Sequence, residues 1–130
     1  MPWIEVFAVL LVSHVAGDFL AQTEFQARHK HGGLGRDRVR RRALLAHVAV
    51  YVACFVPALV WLGGEEPLAT VLLAAVAIAL PHLVQDDGRV IAGWMRRVKH
   101  TDYEPGLLAI AVDQSFHVLA LFAVAVAVGA

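Results

Sequence analysis

Four stretches of this chain, roughly Trp3 to Ala21, Ala43 to Leu62, Leu68 to Val84 and Leu107 to Val128, contain no lysine or arginine and are almost wholly apolar. Each approaches or exceeds the ~20 residues that a helix rising ~1.5 Å per residue needs to cross a hydrocarbon core. A chain of 130 residues has too little interior to hide four such runs from water, so lipid is the expected solvent. Inside lipid only helices and closed barrels satisfy the backbone, and Ala/Leu/Val runs without period-two alternation favour helices. Composition agrees: 59% of residues are hydrophobic, 17% are charged and the mean hydropathy is +0.65. A soluble domain would carry about a quarter charged residues. The expected fold is all-α: a four-helix transmembrane bundle, one integral-membrane domain over residues 1–130, with spans at about 3–22, 43–62, 68–86 and 106–128.

The formal net charge is +0, but the charges are segregated. Arg28, Lys30, Arg36, Arg38, Arg40, Arg41 and Arg42 fall between the first two stretches, and Arg89, Arg96, Arg97 and Lys99 between the last two. The positive-inside rule assigns both segments to the cytoplasm. The short acidic link Gly63-Gly64-Glu65-Glu66-Pro67 is then an outside turn, and an even number of crossings leaves Met1 and Ala130 outside. The first stretch has no basic residue ahead of it and no small-residue cleavage site, so it reads as a retained anchor and not a secretory leader. The single cysteine, Cys54, excludes an internal disulfide framework and reads as an apolar filler.

The first basic segment, from His29-Lys30-His31-Gly32-Gly33 onward, lacks a complete phosphate-loop pattern and reads as a flexible loop meeting anionic lipid headgroups. In the second, Val90, Ile91, Trp94, Met95 and Val98 share one helical face, which predicts a short amphipathic interfacial helix in the second cytoplasmic loop. The bilayer and its anionic headgroups are thus the expected partners, together with a homo-oligomer. Nucleic acid is not expected, because the basic residues border spans.

Polar residues inside the spans carry the chemistry. Helix one holds His14 and Asp18, helix two His47, helix three His82 and Asp86, and helix four Asp113 and His117. Each aspartate stands four positions from a histidine of its own helix, so each pair shares a face. Depth gathers them further. His14 and Asp18 lie in the inner half of a descending helix, His47 about one turn into an ascending one, and His82 and Asp86 at the inner end of another descending helix. Asp113 and His117 follow about 10 to 16 Å along the last helix. All seven therefore fall in one half of the bilayer.

An aspartate at mid-span costs roughly 2.5–3.5 kcal/mol to insert, so something must offset three of them. Three accounts compete: a dry hydrogen-bonded network with the histidines, a wet proton or ion path, and a metal ion whose charge removes the penalty. The imidazoles and carboxylates make a ligand set suited to divalent zinc, iron or manganese, with nickel also compatible, as one ion or two. In the metal account His14, Asp18, His47, His82, Asp86, Asp113 and His117 are the candidate ligands. One of Asp18, Asp86 and Asp113 is a general base, and Gln22 and Gln114 hydrogen-bond to ligands or orient substrate. Asp87 reads as a solvated cap beside Asp86, and Gly17 as a point of close helix packing.

With those residues in hand, the chain resembles a family of small bacterial and phage membrane proteins, domain of unknown function 3307. The matching features are His14-Val-Ala-Gly-Asp18-Phe-Leu-Ala-Gln22 with Lys30 soon after, His47 followed by Tyr51, His82-Leu-Val-Gln-Asp86, and Asp113-Gln114-Ser-Phe-His117. The family's lysine shortly after the third-helix aspartate is absent, and Arg89 is the candidate substitute. The resemblance implies a multi-pass protein of a bacterial inner membrane and no stated activity. The pattern is also loosely similar to inner-membrane metal-dependent hydrolases with His/Asp pairs in their spans. The leading reading is a membrane-embedded metal-dependent hydrolase acting near the cytoplasmic leaflet on a lipid or lipid-linked substrate. Transport of a divalent cation or proton, haem ligation, and a non-enzymatic phage or host membrane factor with a structural His/Asp network are the alternatives.

Overall fold

Runs of Ala, Leu and Val continue as helix until a breaker or a cap stops them, and the breakers here are few. The computed structural model describes residues 1–130 and is all-helical, with six helices and no strand. Helix α1 (Trp3–Val15) starts behind Pro2 and runs on into a π-helical turn, Ala16–Leu20, closed by the Ala21 amide donating to the Ala16 carbonyl at 2.9 Å. A short helix, α2 (Glu24–His29), follows. Its capping box has Thr23 Oγ1 accepting from the Gln26 amide while Gln26 Oε1 accepts from the Thr23 amide. Then come α3 (Arg38–Leu62), α4 (Leu68–Asp86), α5 (Arg89–Val98) and α6 (Leu107–Gly129). The stretches Trp3–Leu20, α3, α4 and α6 are long and apolar enough to cross a membrane.

Two boundaries differ from expectation. The arginine run 38–42 is the first turn of α3 and not loop, because Asp37 caps it, accepting from the Val39 amide at 2.8 Å and the Arg40 amide at 3.1 Å. The Arg40 and Val39 amides hold the Asp37 carboxyl below its usual value. At the other end of the loop, helix one stops at Leu20 and not Gln22, and α2, which apolar periodicity does not announce, takes up part of the segment expected to be loop.

The four long helices close a ring. Helix α1 packs on α3 and α6, α4 packs on the same two, and the backbones of the diagonal pairs stay apart. In the half of the ring holding the termini, Val6, Leu10, Phe55, Leu62, Ile78, Leu121 and Ala125 form a dry core. Trp3 and Phe7 both meet the Phe122 ring edge-on. Around the outside, Val12, Val60, Leu73 and Leu119 are exposed and apolar, so these helices are apolar all round. Gly17 sits where α1 crosses α3: a Cβ there would lie 2.7 Å from Tyr51 Cδ2 and 3.3 Å from Tyr51 Cα.

Hydrogen bonds tie the first basic loop to the end of α4. Asp87, expected to be a solvated cap, is buried: its Oδ1 accepts from the Leu34 amide at 2.7 Å, and its carbonyl accepts from the Gly32 amide at 2.8 Å. Gly32 (φ 76) and Gly88 (φ 81) supply left-handed turns on either side. Helix α5 divides its apolar face. Ile91 and Met95 pack on Val112 of α6, while Val90, Trp94 and Val98 stay exposed beside Arg96 and Arg97.

Gly17→Ala should overpack the α1–α3 crossing and destabilise the protein by about 1–3 kcal/mol. Gly93→Ala is the control, since nothing lies within 4 Å of its added Cβ. Thermal unfolding in detergent should show a lower midpoint for the first and an unchanged or raised midpoint for the second. Equal midpoints would remove the steric role given to Gly17.

Candidate metal centre

Each long helix delivers its polar residues to the half of the ring opposite the dry core. The π-helical turn of α1 carries Asp18 inward while leaving Phe19 and Leu20 exposed. Such a turn inserts one extra residue into the helical repeat, and π-turns are frequent at functional sites. His47 lies in the third turn of α3. His82 follows Pro81 in α4, with Asp86 one turn later at the helix end.

Two donor groups result. In the first, Asp18, His47, His82 and Asp86 each bring one ligand atom to within 4.8 Å of all the others, and all four residues are buried. His47 Nε2 is 3.1 Å from Asp18 Oδ1, 2.8 Å from Asp86 Oδ2 and 3.1 Å from His82 Nε2. His82 Nε2 is 3.7 Å from Asp18 Oδ1 and 3.3 Å from Asp86 Oδ2. A four-coordinate ion with ligands at about 2.0–2.2 Å holds those ligands about 3.3–3.6 Å apart; the three edges at His47 Nε2 are shorter, at 2.8–3.1 Å, and those from His82 Nε2 to the carboxylates are 3.3 and 3.7 Å. The second group is Asp86, Asp113 and His117. His117 Nε2 is 3.3 Å from Asp86 Oδ1, and His117 Nδ1 is 3.8 Å from Asp113 Oδ2.

These groups are placed to hold a metal ion. The hydrogen-bond inventory fits one as well. His117 Nδ1 lies 2.8 Å from the Asp113 carbonyl, which can only accept, so Nδ1 carries the proton. In the neutral ring Nε2 then presents a lone pair towards Asp86 Oδ1, and neither of these buried atoms has a hydrogen-bond partner. Charge leads the same way. With all three carboxylates ionised and the histidines neutral, as ligands must be, Asp18, Asp86 and Asp113 against the Lys30 ammonium sum to minus two, which one divalent ion cancels.

His14 stands beside both groups without joining either. Its Nε2 meets Gln114 Oε1 at 2.8 Å, its Nδ1 meets the Tyr51 hydroxyl at 3.0 Å, and its ring stacks on His117. Gln114 also donates to Asp18 Oδ2 at 3.0 Å and to Asp113 Oδ2 at 3.2 Å, so one amide ties α1 to α6 through two candidate ligands. Gln22 touches none of them: its Oε1 accepts from Lys30 Nζ at 2.6 Å. Lys30 itself is buried and reaches Asp86 Oδ2 at 2.9 Å. It, and not Arg89, is the cation at the third-helix aspartate. Arg89 Nε turns to Asp87 Oδ2 at 3.3 Å.

Two aromatic residues complete the surroundings. Tyr51 stacks face to face on His82, with centroids 3.4 Å apart and planes 5° from parallel, which fixes that imidazole's plane. Tyr103 packs against His31 at the rim. Burial, then the neighbouring Asp113 and Asp86 charges, raises the Tyr103 pKa, so the phenol keeps its proton. Burial, then the Lys30 ammonium, lowers that of His31, so its ring is neutral near neutral pH. Spacing within spans does not reach Lys30, His31 or Tyr103, because all three come from loops whose path no periodicity describes. For Lys30 the one sequence cue is its place in the family pattern.

The centre is not sealed. A pocket of about 310 Å³ opens onto it, with Asp18, Asp113 and Gln114 at its floor. Lys30, His31 and Tyr103 form a polar wall, and Phe19, Ala109 and Ile110 an apolar one.

Residues 6–130 match the profile of a family described as "Protein of unknown function (DUF3307)", and the chain belongs to that family. No curated protein and no solved structure matches it.

Lys30→Met leaves Asp86 without its ammonium, and breaking such a buried pair costs about 3–5 kcal/mol. Chemical denaturation in mixed micelles should register a loss of that order for Lys30→Met and a much smaller one for the exposed Arg28→Met. Comparable effects of the two changes would show that Lys30 is not the counter-ion of the centre.

Proposed function

We propose that this member of a family without an assigned activity is a membrane-embedded metal-dependent hydrolase that acts on a lipid or lipid-linked substrate from the cytoplasmic leaflet. The observation that carries the reading is the convergence of Asp18, His47, His82 and Asp86 on one point beside an open pocket. An ion held by these residues would supply a bound water of lowered pKa and a Lewis acid for a scissile ester. The chain's own part is to hold that ion, to keep a carboxylate among Asp18, Asp86 and Asp113 ready for the water's proton, and to seat the substrate. The pocket suits an amphipathic molecule, since Lys30 and His31 face an anionic head while Phe19 and Ile110, both more than half exposed, face the outside of the bundle.

The same observations weigh against the alternatives. A purely structural network gains stability only when every member is satisfied. Here Asp86 Oδ1 and His117 Nε2 are buried without hydrogen-bond partners, and an ion between them would engage both, whereas Nδ1 of His47 and of His82 is unpartnered in either reading. A conducting path needs polar groups along its length, yet Val6, Leu10, Phe55, Ile78 and Leu121 fill the other half of the ring. Axial haem ligation needs a macrocycle-wide slot between imidazoles, and His47 and His82 bring their Nε2 atoms to 3.1 Å.

In this reading the basic loops face the cytoplasm and the termini face outward. The arginines between positions 36 and 42 and the α5 face of Val90, Trp94 and Val98 meet the inner leaflet.

Detergent-purified protein should contain zinc, iron or manganese at one equivalent or more by elemental analysis, and His82→Ala should reduce this to background with the helical circular dichroism unchanged. Hydrolysis of a short-chain p-nitrophenyl phosphate ester should fall at least a hundredfold in the same variant. Metal-free protein that keeps both its fold and that activity would rule the reading out. Orientation is tested separately in a Cys54→Ala background. A membrane-impermeant thiol reagent should label Glu65→Cys in intact cells and Arg38→Cys only after permeabilisation; the reverse order would invert the topology.

A further inference from the structure

Asp86 turns its two oxygens to different neighbours. Oδ2 faces His47, His82 and Lys30, whereas Oδ1 faces only His117 Nε2, at 3.3 Å. Both Asp86 Oδ1 and His117 Nε2 are buried and unpartnered. The His117 bond to the Asp113 carbonyl puts a ring proton on Nδ1, so the Nε2 lone pair of the neutral ring is free to take an ion beside Asp86 Oδ1; only in the imidazolium form does a proton lie between the two. Asp113, which completes this second group, is partly exposed and lines the floor of the pocket.

We infer that the centre is dinuclear, that Asp86 bridges its two ions, and that the second ion binds only together with an anionic phosphate group in the pocket. The inference rests on the metal reading above. The first ion occupies the buried group of Asp18, His47, His82 and Asp86 Oδ2. The second occupies Asp86 Oδ1, Asp113 and His117, of which Asp113 lines the pocket. Charge sets the order of filling. One divalent ion neutralises the three carboxylates and one ammonium. A second leaves two uncompensated positive charges in a poorly solvated site, which disfavours its binding alone. Two negative charges restore neutrality, supplied by a phosphate monoester dianion or by a diester monoanion with a bridging hydroxide. The substrate class is therefore a phosphate ester, and its own charge completes the centre that two-ion phosphoryl chemistry uses. The anion can reach the pocket as a lipid headgroup or as a free phosphate.

The test is manganese stoichiometry of the full chain after removal of loosely bound ions, under three conditions. Detergent alone should give one ion per chain. Addition of inorganic phosphate should give two if a free phosphate reaches the floor. Nanodiscs of phosphatidylcholine doped with phosphatidic acid, without free phosphate, should give two if a headgroup does. A rise to two in either anionic condition supports the inference and identifies the source. The doubly loaded form should also replace the six-line manganese spectrum with that of an exchange-coupled pair. His117→Ala and Asp113→Asn should hold one ion in every condition, and that retained ion reports that the variants are folded. Asp86→Asn should lose the phosphate-dependent ion and at least tenfold in affinity for the first. One ion throughout, or two without any anion, overturns the inference and leaves the metal reading standing. No ion in any condition overturns both.

Discussion

A carboxylate that is 1% exposed, at the end of a helix apolar enough to cross a membrane, is the constraint around which the rest is arranged. Asp86 has no access to water, so every stabilising partner must come from the protein or from an ion it binds. Those partners arrive from separate elements: Lys30 from the loop after α2, His47 from α3, His82 from its own helix and His117 from α6. None of them is close to Asp86 in sequence except His82. The ring of helices is what makes one buried charge serviceable from so many directions.

The ring also explains why the polar half and the dry half are kept apart. Successive long helices alternate in direction, so a residue late in α1 or α4 shares a level with one early in α3 or α6. Polar groups late in descending helices and early in ascending ones therefore meet at one end, and the remaining halves are free to be filled by Leu, Val, Phe and Ile. Each half stabilises the other. The dry core sets the spacing of the helices, and that spacing sets how far apart the ligand atoms on different helices lie.

The first basic loop belongs to this machinery as much as any helix does. Asp87 holds the backbone of Gly32 and Leu34, Arg40 donates to the His31 carbonyl, and Gly33 passes so close to Leu44 that a side chain there has no room. The result is a hydrogen-bonded strap that delivers Lys30 to Asp86 and His31 to the pocket wall. Ammonium and imidazole thus stand beside the proposed substrate head, while arginines further along the segment stay exposed, as an anionic membrane surface would require.

Features that depend on one-dimensional quantities are legible in the residues alone. Span length and the absence of charge over ~20 residues dictate helices that suit lipid, and i, i+4 spacing pairs His14 with Asp18, His82 with Asp86 and Asp113 with His117. Counting depth from the helix ends was enough to bring all seven residues to one level. The lateral arrangement is a property of the folded ring alone: which helices are neighbours, and towards whom each side chain turns. Depth cannot separate His14, which hydrogen-bonds to Tyr51 and Gln114, from His47, which faces two carboxylates, because both lie at the same level on neighbouring helices. Nor can it place Asp87, whose burial follows from a loop folding back over it, or choose Lys30 over Arg89 as the partner of Asp86. Loop paths are set by caps, left-handed glycines and single long-range hydrogen bonds, and those leave no periodic trace in a sequence.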